Sequence, residues 1–124
     1  MANTSLHTIT LLGFPTTVFF QRFADRLFLV VTQLPTFGAL LEARVDSRVD
    51  GAEEASSRVL LGPRDDDFAT LAARRLLESF RGTVPGVPLV LALGLRAPAG
   101  VASVREVVAA VEGLSLLGAA GGGA

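Results

Sequence analysis

Short apolar runs with many β-branched and aromatic residues dominate the first half of the chain, and they predict a series of β-strands. A further apolar run after Pro88 has the length of a buried strand and is flanked by proline and glycine. Together these patterns predict six strands, which span residues 5–12, 16–23, 26–33, 40–45, 58–61 and 88–95.

The second and third predicted strands, 16–23 and 26–33, are apolar on both faces in their middle positions. This pattern is typical of strands covered on two sides, whereas a half-exposed strand alternates more cleanly. Ala24 and Asp25 connect the two runs and suit the tight turn of a hairpin. One face is expected to meet helices, and the other must meet further strands or a second protein.

Two later segments change to the helical spacing of apolar residues. Three consecutive aspartates at 65–67 supply carboxylates for the N-terminus of a helix that ends at Arg81 and Gly82. Its predicted buried face consists of Phe68, Ala69, Ala72, Ala73, Leu76 and Phe80. A second helix is predicted to begin at Ser103, with Glu106 in the position of a capping box. Its buried stripe consists of Val104, Val107, Val108, Val111 and Leu114.

The order of these patterns predicts an α+β fold, a largely antiparallel β-sheet arrangement of about six strands with two helices packed against it. A chain of 124 residues that is 50% apolar can bury a substantial core, so residues 1–124 are assigned to a single domain. Small and charged residues predict a flexible loop over 46–57, and glycines predict a flexible tail over 115–124.

The charge balance argues against several classes of partner. The formal net charge is −1 and the pI is about 5.7, so the chain lacks the positive field that attracts nucleic acid or an anionic membrane. No apolar run approaches the roughly 20 residues of a membrane-spanning helix. The absence of cysteine fits an intracellular protein, and we expect a cytoplasmic location with the nucleus as a second compartment.

Few residues are available for catalysis. A serine or cysteine nucleophile needs a nearby base, and the chain has one histidine, His7, and no cysteine. The side chains of Asp65, Asp66 and Asp67 diverge because the residues are consecutive, so they fit a helix cap better than a Mg²⁺ or Ca²⁺ site. The sequence therefore predicts no enzymatic activity, no cofactor and no metal site. A metal-dependent hydrolase built on the three aspartates is the alternative.

The remaining candidates for function are side chains that a protein partner can contact. The loop after the third strand carries Leu34 and Phe37, and a large apolar residue at a loop tip either folds back on the core or anchors an interface. Arg74, Glu78 and Arg81 fall on the polar side of the first helix, where they are either solvated or contact a partner. These five residues are the predicted partner-binding site of a chain that we expect to work as a dimer.

Several short segments occur in an order that resembles one known family. They are GFPTTV at 13–18, LFLVVTQ at 27–33, FGALLE at 37–42, RVLLG at 58–62 and VREVVAAV at 104–111. Together they resemble proteasome assembly chaperone 3, over residues 13–113. The segments 46–57 and 81–86 and the glycine tail depart from the family pattern.

The resemblance implies a small α+β chaperone without catalytic residues that pairs with proteasome assembly chaperone 4. It further implies that the pair promotes assembly of the α-subunit ring of the proteasome core particle, with the proteasome α-type subunits as partners. Without its mate, the chain is expected to form a homodimer. The alternative is a generic small α+β scaffold or adaptor protein that acts as a homodimer.

Overall fold

The computed structural model of the chain describes residues 3–35, 38–47, 49–64, 66–96 and 100–116, without the side chains of Asn3 and Val101. The strands in these ranges are β1 (Asn3–Leu11), β2 (Phe14–Arg22), β3 (Leu27–Thr32), β4 (Ala39–Ser47), β5 (Glu53–Leu61) and β6 (Leu89–Gly94). The helices are α1 (Asp67–Arg81), between β5 and β6, and α2 (Val104–Glu112), which follows a 3₁₀ turn at Val101–Ser103.

The six strands form one sheet in the order β1-β2-β3-β6-β4-β5. Neighbouring strands are antiparallel except β3 and β6, which run parallel with Leu29 opposite Leu91. β6 therefore lies inside the sheet although it is the last of these strands in the sequence. The predicted α+β class, with a largely antiparallel six-stranded sheet and two helices, is confirmed.

The helices cover one face of the sheet, which we call the covered face. Alternate residues of the central strands, such as Leu29 and Val31 in β3 and Leu91 in β6, point to this face and are inaccessible to solvent. α1 meets them with a stripe of buried residues, Phe68, Ala69, Ala72, Ala73, Leu76, Leu77 and Phe80. The ring of Phe80 stacks on that of Phe20 with the centroids 5.5 Å apart. Burying each large side chain contributes about 1.5–3 kcal/mol, so this layer is the main source of stability.

The helix N-termini differ in how they are capped. The Asp66 carboxylate accepts a hydrogen bond from the Ala69 N–H at 3.0 Å, as predicted for a capping aspartate. Asp67 lies in the first turn, and Asp65 is outside the described residues. Ser103 makes no side-chain hydrogen bond at the start of α2. The predicted capping box is therefore wrong, because Ser103 ends a 3₁₀ turn that runs directly into the helix.

The loop predicted over 46–57 is corrected by the structure, which places most of it in two strands. β4 continues to Ser47 and β5 begins at Glu53. β6 pairs with β4 only as far as Ala43, so the rest of this hairpin extends past the sheet as a two-stranded arm. The tip of the arm is exposed on both faces, so its residues lack the apolar alternation that marks a strand. The flexibility predicted for 46–57 stays a prediction.

The predicted tail begins earlier than the structure supports. Leu116 is 6% exposed and packs with the core, although it falls within the tail predicted from residue 115. Residues 117–124 are outside the described residues.

Candidate protein-binding face of the sheet

The sheet face opposite the helices, which we call the uncovered face, carries apolar side chains from edge to edge. The strand register aligns one apolar residue from each strand, namely Leu6, Phe19, Val30, Ala92, Leu40 and Leu61. We call these six residues the apolar row. Leu6 and Leu61, at the two edges of the sheet, are 67% and 61% exposed. Ala92 in the middle of the row is inaccessible, so the other five residues present the apolar surface to solvent.

A shallow hollow lies beside the apolar row, close to the turn between β2 and β3. Its volume is about 490 Å³, and it is lined by Phe23, Asp25, Arg26, Phe28 and Val90. The Phe28 ring meets the Phe19 ring of the apolar row edge to face, with the centroids 6.3 Å apart. The hollow thus continues the apolar row and has an aromatic wall.

Ion pairs border this apolar surface. The Arg26 guanidinium donates to Asp25 with Nη2 and Oδ2 3.0 Å apart. This hydrogen bond and the charge of Arg26 lower the pKa of the Asp25 carboxyl, and the same contact raises the pKa of Arg26. On the same face, β4 places Glu42 opposite Val90 of the hollow, and the Glu42 carboxylate lies 3.1 Å from Arg58 Nη2 and 3.9 Å from Arg44 Nε. An apolar centre with a polar rim is the usual anatomy of a protein–protein interface.

Among the described residues, groups suited to catalysis do not converge on this face. His7 is half-buried on β1 and lies opposite Val18, on the covered face. Among the residues that the structure describes, no three His, Asp or Glu side chains form a group able to hold a metal ion. Asp66 uses its carboxylate to cap α1, which supports the capping interpretation of the aspartates. Within the same ranges, no helix is long and apolar enough to cross a membrane.

Only one of the two predicted loop contacts lies within the described residues. Leu34 is half-buried just after β3, where its N–H donates to Thr32 Oγ1 and its carbonyl oxygen accepts from the same hydroxyl. Phe37 lies outside the described residues. The role of both residues as partner contacts stays a prediction.

The three predicted charged contacts lie on α1, on the helical side of the molecule. Arg74 and Glu78 are exposed, and Glu78 lies 3.5 Å from Arg75. Arg81 is half-buried at the end of the helix and pairs with Glu53 of the hairpin arm. The structure therefore does not bring these residues together with Leu34, and their contacts with a partner stay a prediction.

The sequence predicts a second apolar face on the strands at 16–23 and 26–33, but no residue of the apolar row is among the predicted site residues. Val30 and Phe19 belong to the two strands that are apolar on both faces. Reading those strands with a period of two separates Phe19 from its neighbours Val18 and Phe20, which point to the covered face.

Gln33 forms a polar clamp that the sequence did not reveal. Its Nε2 donates to the Leu11 carbonyl oxygen at 2.8 Å and to Thr16 Oγ1 at 2.9 Å. Its Oε1 accepts from the Arg96 N–H at 2.9 Å, and the Arg96 guanidinium lies 5.5 Å from the centre of the Phe14 ring. The clamp joins the β1–β2 turn, the end of β3 and the segment after β6 at one end of the sheet.

The chain is a small α+β protein in which one sheet face holds the core and the other presents apolar surface. A sequence profile of the family described as proteasome assembly chaperone 3 matches residues 29–114, which is more than half of the chain. The chain belongs to the proteasome assembly chaperone 3 family. This match confirms the resemblance carried by the short segments. Comparison with curated proteins finds no match.

Proposed function

We propose that this chain is a non-enzymatic chaperone that pairs with proteasome assembly chaperone 4, and that the pair promotes assembly of the α-subunit ring of the proteasome core particle. Membership of the proteasome assembly chaperone 3 family supports the chaperone role. The single observation that carries the pairing is the apolar row, which α1 and α2 leave uncovered.

The uncovered face has the composition of a contact surface. A half-exposed antiparallel strand usually alternates apolar and polar residues, but β3 places Phe28 and Val30 on the uncovered face. Contiguous exposed apolar surface marks interaction sites in soluble proteins. Phe28, at the hollow, is a rigid aromatic side chain of the type that carries binding energy in protein interfaces.

In the proposed pair, the mate covers the apolar row with an apolar sheet face of its own. Two sheets that pack face to face lie about 10 Å apart and interdigitate their side chains. The ion pairs of Asp25 and Glu42 then fall at the rim, where they stay close to water. The helices of this chain lie on the outside of the pair, which leaves them free for the proteasome α-type subunits. We propose the cytoplasm as the place of this assembly, with the nucleus as a second compartment.

The proposal is tested by co-expressing the chain with proteasome assembly chaperone 4 and measuring mass by size-exclusion chromatography with light scattering. We expect a pair with one copy of each chain, and we expect that pair to retain purified proteasome α-type subunits. The double variant Leu6→Glu/Leu61→Glu places a charge at each exposed end of the apolar row. It is expected to weaken pairing by about tenfold or more, because the charges must be desolvated in the interface.

Val49→Glu is the matched control for this double variant. Val49 is a fully exposed apolar residue at the tip of the hairpin arm, away from the apolar row. Its substitution should leave pairing unchanged. A natural chain that binds neither proteasome assembly chaperone 4 nor any α-type subunit contradicts the proposal. A chain that pairs only with itself favours the homodimeric scaffold instead.

A further inference from the structure

The two edges of the sheet differ in how they are protected against pairing with another strand. β5 forms one edge and carries charged side chains at Glu53, Glu54 and Arg58. Its pairing with β4 also shifts register between Leu40 and Leu41. Charged residues and bulges are the usual means by which edge strands avoid association. The β5 edge is therefore protected.

β1 forms the other edge and has none of these protective features. The strand Asn3–Leu11 contains no proline, aspartate, glutamate or arginine, and it pairs with β2 without a register shift. Among the described residues no strand lies beyond β1, so every second residue points its N–H and C=O groups away from the sheet. Side chains 4, 6, 8 and 10 are exposed, and side chains 5, 7 and 9 are half-buried. β1 is thus a long edge that is open to an added strand.

We propose that β1 pairs in the antiparallel direction with β1 of a second copy of the chain. The free N–H and C=O groups of a strand edge are matched by the backbone of another extended strand. A second copy is the occupant that the two edges favour, because a symmetric contact uses the β1 edge of both chains at once. Each copy contributes a sheet that ends at β5, so the joined sheet has only the protected β5 edges exposed.

The exposed leucine of β1 sets the register of this contact. In a two-fold antiparallel pair, one residue lies opposite the same residue of the second copy. We place Leu6 there because it is 67% exposed and would pack on the Leu6 of the second copy. Thr4 then lies opposite Thr8, a favourable cross-strand pair, and no like charges meet. Registers centred on residue 5, 7 or 8 would instead put Leu6 opposite a threonine.

The contact leaves the uncovered face of each copy available for a mate. The two-fold axis is perpendicular to the sheet, so the helices of both copies lie on one side and both uncovered faces lie on the other. The apolar row of one copy continues into that of the second copy, because Leu6 is the β1 member of the row. Pairing through the β1 edge therefore does not compete with pairing through the apolar row.

The first test uses the full chain with one introduced cysteine, because the sequence contains none. Leu6→Cys places two thiols opposite each other, with Cα atoms about 4.5–5.5 Å apart, a separation that a disulfide spans. Leu60→Cys is the matched control on the β5 edge, where Leu60 is 39% exposed. With oxidised glutathione, we expect Leu6→Cys to form a disulfide-linked dimer about tenfold faster or more, because the paired strands raise the effective thiol concentration.

A mixture of two variants tests the register and the face. In the proposed register Ser5 lies opposite His7 of the second copy, and both residues are on the covered face because they pair with buried Phe20 and Val18 of β2. Ser5→Cys and His7→Cys chains, mixed in equal amounts, should form the mixed disulfide in preference to either homodimer. Two copies packed face to face through their apolar rows cannot form it, because these side chains point away from the uncovered face.

Charge variants measure the equilibrium of the same contact. Thr4→Lys/Thr8→Lys sets like charges opposite each other, whereas Thr4→Glu/Thr8→Lys sets opposite charges there, and both positions are exposed. Edge pairing buries little surface, so we expect a Kd between about 1 μM and 1 mM. In sedimentation equilibrium, the variant with like charges should self-associate about tenfold more weakly than the variant with opposite charges. Added salt should reduce this difference.

All of these measurements are made without proteasome assembly chaperone 4, so failure of the proposed pairing is distinguishable from failure of this contact. The proposal is overturned by equal crosslinking of Leu6→Cys and Leu60→Cys, by absence of the mixed disulfide, or by equal self-association of the two charge variants. A natural chain that stays monomeric at about 1 mM also overturns it. Protection of the β1 amides only when proteasome assembly chaperone 4 binds would assign the edge to a strand of that mate, against the proposal.

Discussion

Both faces of the sheet carry large apolar side chains, but the chain's own helices cover only one of them. The contrast is sharpest at two neighbouring residues of β2. Phe20 is inaccessible on the covered face and stacks on Phe80 of α1. Phe19 is half-buried on the uncovered face and meets Phe28 of the same face. Two adjacent phenylalanines thus serve different purposes, one in the core and one in the surface that we propose for pairing.

The largest expected effect is the difference in stability between alanine variants of these two phenylalanines. Phe20→Ala should lower the free energy of unfolding by about 3–5 kcal/mol, because it removes a buried ring and leaves a cavity under α1. Phe19→Ala should cost no more than about 2 kcal/mol, since the ring is only partly buried and no helix covers it. Urea denaturation of both variants measures the difference. Phe19→Ala should also weaken pairing with proteasome assembly chaperone 4, and equal losses of stability would show that the two faces do not differ as described.

Breaking the Gln33 clamp should have the next largest effect on the free energy of unfolding. Gln33→Leu is expected to cost about 1–3 kcal/mol, because the Leu11 carbonyl and the Arg96 N–H lose their partner. Gln21→Leu is the matched control, since Gln21 lies on the uncovered face and its side chain has no hydrogen bond among the described residues. Urea denaturation of the two variants gives the comparison. A cost at Gln21 as large as that at Gln33 would contradict the clamp.

Substitution of the N-cap residue of α1 tests how much the helix cap contributes to stability. Asp66→Ala should lower the free energy of unfolding by about 0.5–2 kcal/mol, because the Ala69 N–H loses its acceptor. Asp67→Ala, one residue into the helix, should cost less. Pairing should be unchanged in both variants, since the helix lies away from the apolar row. Thermal unfolding and light scattering provide the two readouts, and a loss of pairing without a loss of stability would assign Asp66 to a binding site instead.

The smallest expected effect concerns the ion pair beside the hollow. The hydrogen bond from Arg26 and its charge lower the pKa of Asp25 in the folded chain, so the pair stabilises the fold above the unfolded pKa. That contribution is lost as the pH falls through the lowered pKa, and full exposure keeps it small. Titration of the Asp25 carboxyl by NMR should give a lower pKa in the natural chain than in Arg26→Gln. Identical titration curves would mean that the pair does not persist in solution.

Local patterns in the sequence were sufficient for the fold class and for α1. The aspartates mark the start and Arg81 marks the end of a predicted helix whose apolar spacing is regular. The structure has that helix at Asp67–Arg81. The order of strands was not predictable in the same way. The parallel pairing of β3 with β6, and the insertion of β6 beside β4, depend on contacts between residues far apart in the sequence.

Dependence on contacts between distant residues also explains the differences at the predicted loop and at the predicted site. The sequence predicts a loop at the hairpin arm because the tip is exposed on both faces and carries no apolar alternation. The apolar row was missed because its members come from six separate strands, and only the register aligns Leu6 with Phe19 and Leu40 with Leu61. Residues of one loop or one helix are easier to group from sequence. The predicted partner contacts are therefore Leu34 and Phe37 of one loop and three charged residues of α1.

Methyl cross-saturation NMR tests the pairing face most directly. The chain is prepared with protonated leucine and valine methyl groups in a deuterated background, and unlabelled proteasome assembly chaperone 4 is irradiated in the complex. We expect signal loss at Leu6, Val30 and Leu61 of the apolar row, with Val31 on the covered face unaffected. Signal loss confined to residues outside the apolar row, or no complex at all, would contradict pairing through this face.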